Sequence, residues 1–188
     1  MPILRVAGLM AGVAGAAALG AGAVSGATAT ASASYTAPKV AACSTSQLRV
    51  WYGQPTGAAA GTFYIPLQFS DVGGASCALY GYPGVSGVTA GGAQLGTPAG
   101  WDSVIPPRTV VLAPGGTAHV LLRITDVANY PSTACKPTGA YGLRVYPPNQ
   151  KASVVVPFAF EACGKSGPTY LHVDPVNAGV GIPLYSNS

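Results

Sequence analysis

Along most of this chain apolar and polar residues alternate with a period of two, the signature of half-buried β-strands. Leu48, Val50 and Tyr52 alternate with Gln47, Arg49 and Trp51, and Phe63, Ile65, Leu67 and Phe69 with Thr62, Tyr64, Pro66 and Gln68. Pro66 offers no ladder donor, which predicts an edge or bulged strand there. From Thr117 to Asp126 the pattern turns Ala118, Val120, Leu122 and Ile124 inward, leaving His119, Arg123 and Thr125 outside. Tyr141, Leu143 and Val145 form the next inward set, then Val154, Val156, Phe158 and Phe160, and Leu171 with Val173 closes the series. Turn signals separate these runs: Gly73-Gly74, Pro83-Gly84, Gly91-Gly92, Pro114-Gly115-Gly116, Pro147-Pro148-Asn149 and Gly167-Pro168. No stretch beyond the N-terminus keeps a helical period over three turns. About seven or eight short strands between Gly/Pro turns predict an all-β fold, a β-sandwich with a closed barrel as the alternative. Two long connections, 90–107 and 126–135, are where a scaffold of this kind carries its function.

The N-terminus follows different rules. Arg5 precedes a charge-free stretch from Val6 to Val24, and A-x-A sites follow at Ala27-Thr28-Ala29, Ala29-Thr30-Ala31 and Ala31-Ser32-Ala33. This reads as a secretory signal peptide over 1–33, with a short flexible linker at 34–42 and a single secreted domain at 43–188. An uncleaved membrane anchor is disfavoured by the Gly and Ala content of the stretch. Val40-Ala41-Ala42-Cys43 looks like a lipoprotein box, but Tyr35, Pro38 and Lys39 stand between it and the apolar core. Lipidation of Cys43 would also strand an odd number of thiols.

Charged residues make up only 7% of the chain, against about a quarter in an average domain. Without Arg5 there are eight Lys and Arg against five Asp and Glu, a net charge of +3. The basic residues are scattered, so no phosphate-tracking run exists and nucleic acid is not an expected partner. Cys43, Cys77, Cys135 and Cys163 allow three pairings. Pairing neighbours, Cys43 with Cys77 and Cys135 with Cys163, closes loops of about 30 residues, each stabilising by roughly 3.5–4 kcal/mol in the chain-entropy picture.

The run Cys77-Ala78-Leu79-Tyr80-Gly81-Tyr82-Pro83-Gly84-Val85 resembles the signature of an actinobacterial secreted four-cysteine domain family of unknown function. Leu112-Ala113-Pro114-Gly115-Gly116, Leu143-Arg144-Val145-Tyr146-Pro147-Pro148 and Val173-Asp174-Pro175-Val176, with the cysteines between them, extend the resemblance over most of 43–176. Similar domains often carry Asn before the glycine that follows the second strand; this chain reads Ser70-Asp71-Val72-Gly73. The resemblance implies an immunoglobulin-like sandwich outside the membrane, and it implies no catalytic residues.

Four paired cysteines leave no thiolate for catalysis. Gly84-Val85-Ser86-Gly87 lacks the G-x-S-x-G spacing of a nucleophile elbow. Gly164-Lys165-Ser166 ends like a phosphate-binding loop, but the leading glycine would fall at Ala159, inside a strand. His119 and His172 have no metal-ligand spacing, although His172 shares a face with Asp174. Asp71, Asp102, Asp126, Glu161 and Asp174 are dispersed, with nothing pairing two of them for glycoside hydrolysis. No cofactor and no metal is expected.

Ten tyrosines and two tryptophans offer flat apolar faces with a polar edge, suited to stacking on sugars or anchoring an interface. Trp51 falls on the polar side of its strand, and Trp101 lies in a long connection beside Asp102. Tyr80 and Tyr82 share one parity after Cys77. These four are the candidate ligand contacts. The expected function is a secreted, non-catalytic binding or interaction module of the cell envelope, with cell-wall polysaccharide or another secreted protein as partner. An extracellular hydrolase using Asp102 or Asp174, or a structural envelope protein without a ligand, are the alternatives.

Overall fold

A computed structural model describes residues 39–54, 57–59 and 61–181. The expected signal peptide and most of the expected linker lie outside these residues. The fold is mostly β, with thirteen strands and one four-residue helix, Ser132–Cys135, among the described residues.

Strands β1 (Leu48–Tyr52), β2 (Gly57–Ala59), β3 (Thr62–Asp71), β7 (Gly100–Trp101), β9 (Thr117–Thr125), β12 (Leu171–Val173) and β13 (Asn177–Ala178) form one seven-stranded sheet. Its main order is β1-β3-β9-β12-β7, with β2 on β3 and β13 on β9. Strands β5 (Gly84–Val88), β6 (Gln94–Leu95), β10 (Pro137–Tyr146) and β11 (Val154–Cys163) form a second sheet, ordered β11-β10-β5-β6. A two-stranded sheet pairs β4 (Cys77–Tyr80) with β8 (Thr109–Leu112).

One apolar cluster draws from all three sheets. On β9, Ala118, Val120, Leu122 and Ile124 are buried in strict alternation. They lie beside Phe69, Leu67, Ile65 and Phe63 of β3 in antiparallel register. Leu143 and Val145 of β10, Val85 of β5 and Leu79 of β4 complete the cluster. A Val, Leu or Ile buried in this way stabilises the fold by about 1.5–3 kcal/mol.

Two expectations are corrected by the packing. β3 is not an edge strand, since β1 and β9 flank it. Pro66 is tolerated because β1 pairs only with Leu67–Asp71 and β2 only with Thr62–Tyr64. Gly53 N–H donates to Pro66 O, so the proline nitrogen faces the gap between the two short partners, where no ladder donor is needed. Tyr141 is exposed rather than inward, because a bulge between Ala140 and Gly142 inverts the parity of β10. A Cβ on Gly142 would lie 2.6 Å from Val156 O, so the bulge needs glycine. Ahead of β1, Ala41 O accepts from Ala78 N–H and Cys43 N–H donates to Ala78 O, tying residues 41–43 to β4.

The disulfides are Cys43–Cys77 and Cys135–Cys163. The first leaves no sulfur at Cys43 for a lipid. The second fastens the 126–135 connection to the end of β11. Asp71 closes the turn after β3: its Oδ1 accepts the Gly73 N–H at 2.8 Å, an Asx turn.

Beyond β12 the chain crosses the outer face of the large sheet. His119 Nδ1–H donates to Gly179 O, and the buried Gln68 amide both donates to Gly181 O and accepts from Gly181 N–H. This segment explains how a fully buried glutamine sits on the polar side of β3 without an unmade hydrogen bond.

Candidate functional site

The four aromatic candidates scatter across the fold, and two of them meet. Trp51 is half-buried on edge strand β1, where its Nε1–H donates to Ser70 Oγ, itself hydrogen-bonded to Thr117 Oγ1. Trp101 sits at the opposite edge, on β7. Three strands intervene, so at about 4.8 Å per strand their strands are roughly 19 Å apart across the sheet. Tyr80 and Tyr82 also diverge, because Gly81 with φ +94° ends β4 between them. Tyr80 is exposed over the small sheet.

Tyr82 turns instead toward the large sheet, held by the Val176 N–H bond to Gly81 O. There it stacks on Trp101 with ring centroids 5.0 Å apart and planes 7° from parallel. Trp101 remains 67% exposed, so one indole face rests on Tyr82 and much of the ring is open to solvent. Its backbone is fixed by parallel pairing of β7 with β12, continued by the Asp102 N–H bond to Val173 O. The 90–107 connection was legible as long, but the two-residue strand that rigidifies Trp101 was not. A strand this short has no period, and only its partner β12 defines it.

Beside the stack lies a charged cluster. Asp102 Oδ2 is 3.2 Å from Arg123 Nη2, and Arg123, His172 and Gly100 are register neighbours across three strands. The His172 ring lies over Gly100, where a Cβ would come within 3.2 Å of its Cδ2. Burial, reinforced by the Arg123 charge and opposed by Asp102, lowers the His172 pKa. Its Nδ1 is buried without a hydrogen-bond partner. Asp174 is shifted the other way: burial and then the Asp102 charge raise its pKa, against Arg123 and His119. Among the described residues no three His, Cys, Asp or Glu side chains gather as a metal site.

These shifts predict a pH dependence. The folded state holds His172 neutral, while the unfolded chain gains a proton as pH falls below about 6.5. The stability contributed by His172 is therefore present above that value and is lost as pH falls toward its lowered folded pKa. Asp174 acts in the opposite sense, its contribution being present at low pH and lost as pH rises through its raised folded pKa. Urea midpoints between pH 7.5 and 5 should fall more steeply for the native protein than for His172→Gln. Parallel curves for the two proteins would contradict this assignment.

A second feature escaped sequence reading. A cleft of about 380 Å³ opens where the beginning of β3, the end of β9 and the middle of β11 meet. Its apolar wall is Phe63, Ile65, Ile124, Val127, Phe158 and Phe160, and Thr125, Asp126 and Glu161 supply its polar groups. Phe158 leans on Tyr52 at 5.1 Å and on Phe160 at 5.6 Å, so these rings pack along their own side of the cleft. Phe63, across from them, stays 46% exposed. Alternation marks all three phenylalanines as inward, and it cannot distinguish a filled core from a cleft lined by the same residues.

Among the described residues, no helix is long and apolar enough to cross a membrane. No curated protein and no solved structure matches this chain. Residues 43–177 match the family model described as a domain of unknown function, DUF4232, and the chain belongs to that family.

Proposed function

We propose that this protein is an exported, non-catalytic binding module of the cell envelope, built as an immunoglobulin-like sandwich, that takes a polysaccharide over Trp101. The observation that carries the reading is the Tyr82–Trp101 stack: a largely exposed indole held flat by a second ring. A ring fixed before binding loses little conformational entropy when a sugar face settles on it. Asp102 and Arg123 stand next to the platform as acceptor and donor for hydroxyl groups. Two disulfides suit an oxidising, extracellular setting, and the signal-like N-terminus agrees with export. Trp51 is assigned a packing role, because its indole N–H is already bonded and it lies at the far edge.

The test is co-sedimentation of the oxidised protein with purified cell-wall polysaccharide. Trp101→Ala should weaken binding by about 30-fold, the scale of an aromatic hot spot. Tyr82→Ala should weaken it less, and Trp51→Ala hardly at all. Failure of the folded protein to pellet with polysaccharide removes this ligand class and favours a secreted protein partner.

A hydrolase is the second reading, favoured by one observation: Asp174, with its raised pKa, lies within electrostatic reach of the ion-paired Asp102. Carboxyl groups whose environments differ in this way can divide acid and base roles. Release of reducing ends that Asp174→Asn abolishes while binding persists would replace the non-catalytic reading. A structural envelope protein would show neither binding nor turnover.

A further inference from the structure

We propose that the cleft between β3, β9 and β11 is a binding site for a small organic cation, an ammonium group carried on an aromatic or branched aliphatic body. This inference is independent of the Trp101 platform, which uses other residues.

The volume, about 380 Å³, falls at the small end of the range typical of ligand pockets. Its wall is the kind that such pockets use, mainly aromatic and branched side chains with a few polar groups. Three phenylalanines face the space, and Tyr52, 40% exposed, backs Phe158. Leaving these rings in contact with water forfeits the stabilisation that burial would bring, and an apolar ligand body recovers it.

The charges select the sign of the ligand. The chain as a whole is positive, at +4, yet no lysine, arginine or histidine lines the cleft, and the two ionisable groups that do are Asp126 and Glu161. Neither forms an ion pair among the described residues. Asp126 is held in place, since its Oδ1 accepts the Ala128 N–H at 2.9 Å as the cap of a short 3₁₀ turn, Val127–Asn129. Its other oxygen has no hydrogen bond among the described residues and remains available as an acceptor. An ammonium group near these carboxylates gains their attraction, and phenylalanine faces add cation–π attraction to the same charge. An anionic ligand with the same body meets two like charges in the same place.

Three probes of nearly equal size separate these contributions: phenethylammonium, the neutral phenethyl alcohol and the anionic 3-phenylpropionate. Each is titrated into the isotopically labelled protein and followed by chemical-shift changes at the Phe63, Phe158 and Phe160 amides. Phenethylammonium should bind roughly fivefold or more tightly than the alcohol, and phenylpropionate most weakly. Added salt should narrow the difference. Glu161→Gln, which removes an exposed charge without touching a hydrogen bond, should reduce the preference for the cation while leaving the affinity for the alcohol unchanged. Asp126→Asn serves as a second variant that keeps a capping oxygen. Equal affinity for all three probes, a preference that survives both variants, or no shifts at these amides at millimolar probe would each overturn the proposal. None of these outcomes bears on polysaccharide co-sedimentation.

Discussion

Alanine at both Cys135 and Cys163 is expected to remove about 3.6 kcal/mol of stability, and alanine at both Cys43 and Cys77 about 3.8 kcal/mol. These values follow from the entropy of closing loops of 28 and 34 residues in the unfolded chain. Domains of this kind are typically stable by about 5–15 kcal/mol in total, so opening both bridges consumes a large part of the margin. With so few charged residues, little stabilisation by ion pairs is available to replace it; one salt bridge, Asp102–Arg123, is present among the described residues, and an exposed pair contributes about 1 kcal/mol or less. The local consequences differ. Loss of Cys43–Cys77 should release residues 41–43 from β4, where a few backbone hydrogen bonds otherwise hold them. Loss of Cys135–Cys163 should loosen the 126–135 connection, and with it the capped turn that forms one wall of the cleft. Urea unfolding followed by tryptophan fluorescence reads the difference: at a typical slope of about 1–3 kcal/mol per molar urea, each bridge should move the midpoint by more than about 1 M. A doubly reduced protein with an unchanged midpoint would show that the core alone carries the fold.

The next largest effect should come from Tyr170. It is fully buried, its ring lies 6.4 Å from that of Phe160, and its hydroxyl donates to Leu95 O at 3.0 Å. Burial pushes its pKa up to about 12, so the phenol stays neutral and remains a donor at any pH the protein meets. Two glycines accommodate it. A Cβ on Gly87 would approach Tyr170 Oη to 2.7 Å, and one on Gly96, where φ is +62°, would approach Tyr170 Cε1 to 2.9 Å and Cys163 O to 2.6 Å. Tyr170→Ala should cost about 3–5 kcal/mol through the cavity it leaves. Tyr170→Phe keeps the ring but leaves the Leu95 carbonyl without this donor, at about 1–3 kcal/mol. Thermal or urea unfolding of both variants separates ring from hydroxyl. A Phe variant as damaging as the Ala variant would mean that the hydrogen bond, rather than the packing, dominates at this position.

Tyr170 marks the boundary of what alternation can reveal. It precedes β12 in the sequence and falls in no period-two run, so nothing local announces the largest fully buried side chain of the described residues. Strand β9 was readable because nine consecutive residues repeat one parity against the core, and β3 because Ile65, Leu67 and Phe69 alternate against the same core. β10 was readable only on one side of its bulge. An inserted residue changes which positions face inward without changing the residue types, so Tyr141 looked like core and is exposed.

The β character, the positions of the long strands and the cysteine framework were all legible in the chain itself. Each follows from local rules: side chains alternate along a strand, glycine and proline punctuate turns, and neighbouring cysteines close the shortest loops. The tertiary structure alone decided that Trp101 meets Tyr82 while Trp51 lies at the other edge of the sheet. It also brought Asp102, Arg123, His172 and Asp174 to one face, and left three phenylalanines lining a cleft rather than a filled core. These are outcomes of strand order and of the gap between sheets, which depend on long-range pairing and side-chain volume. A local pattern of apolar and polar residues carries neither.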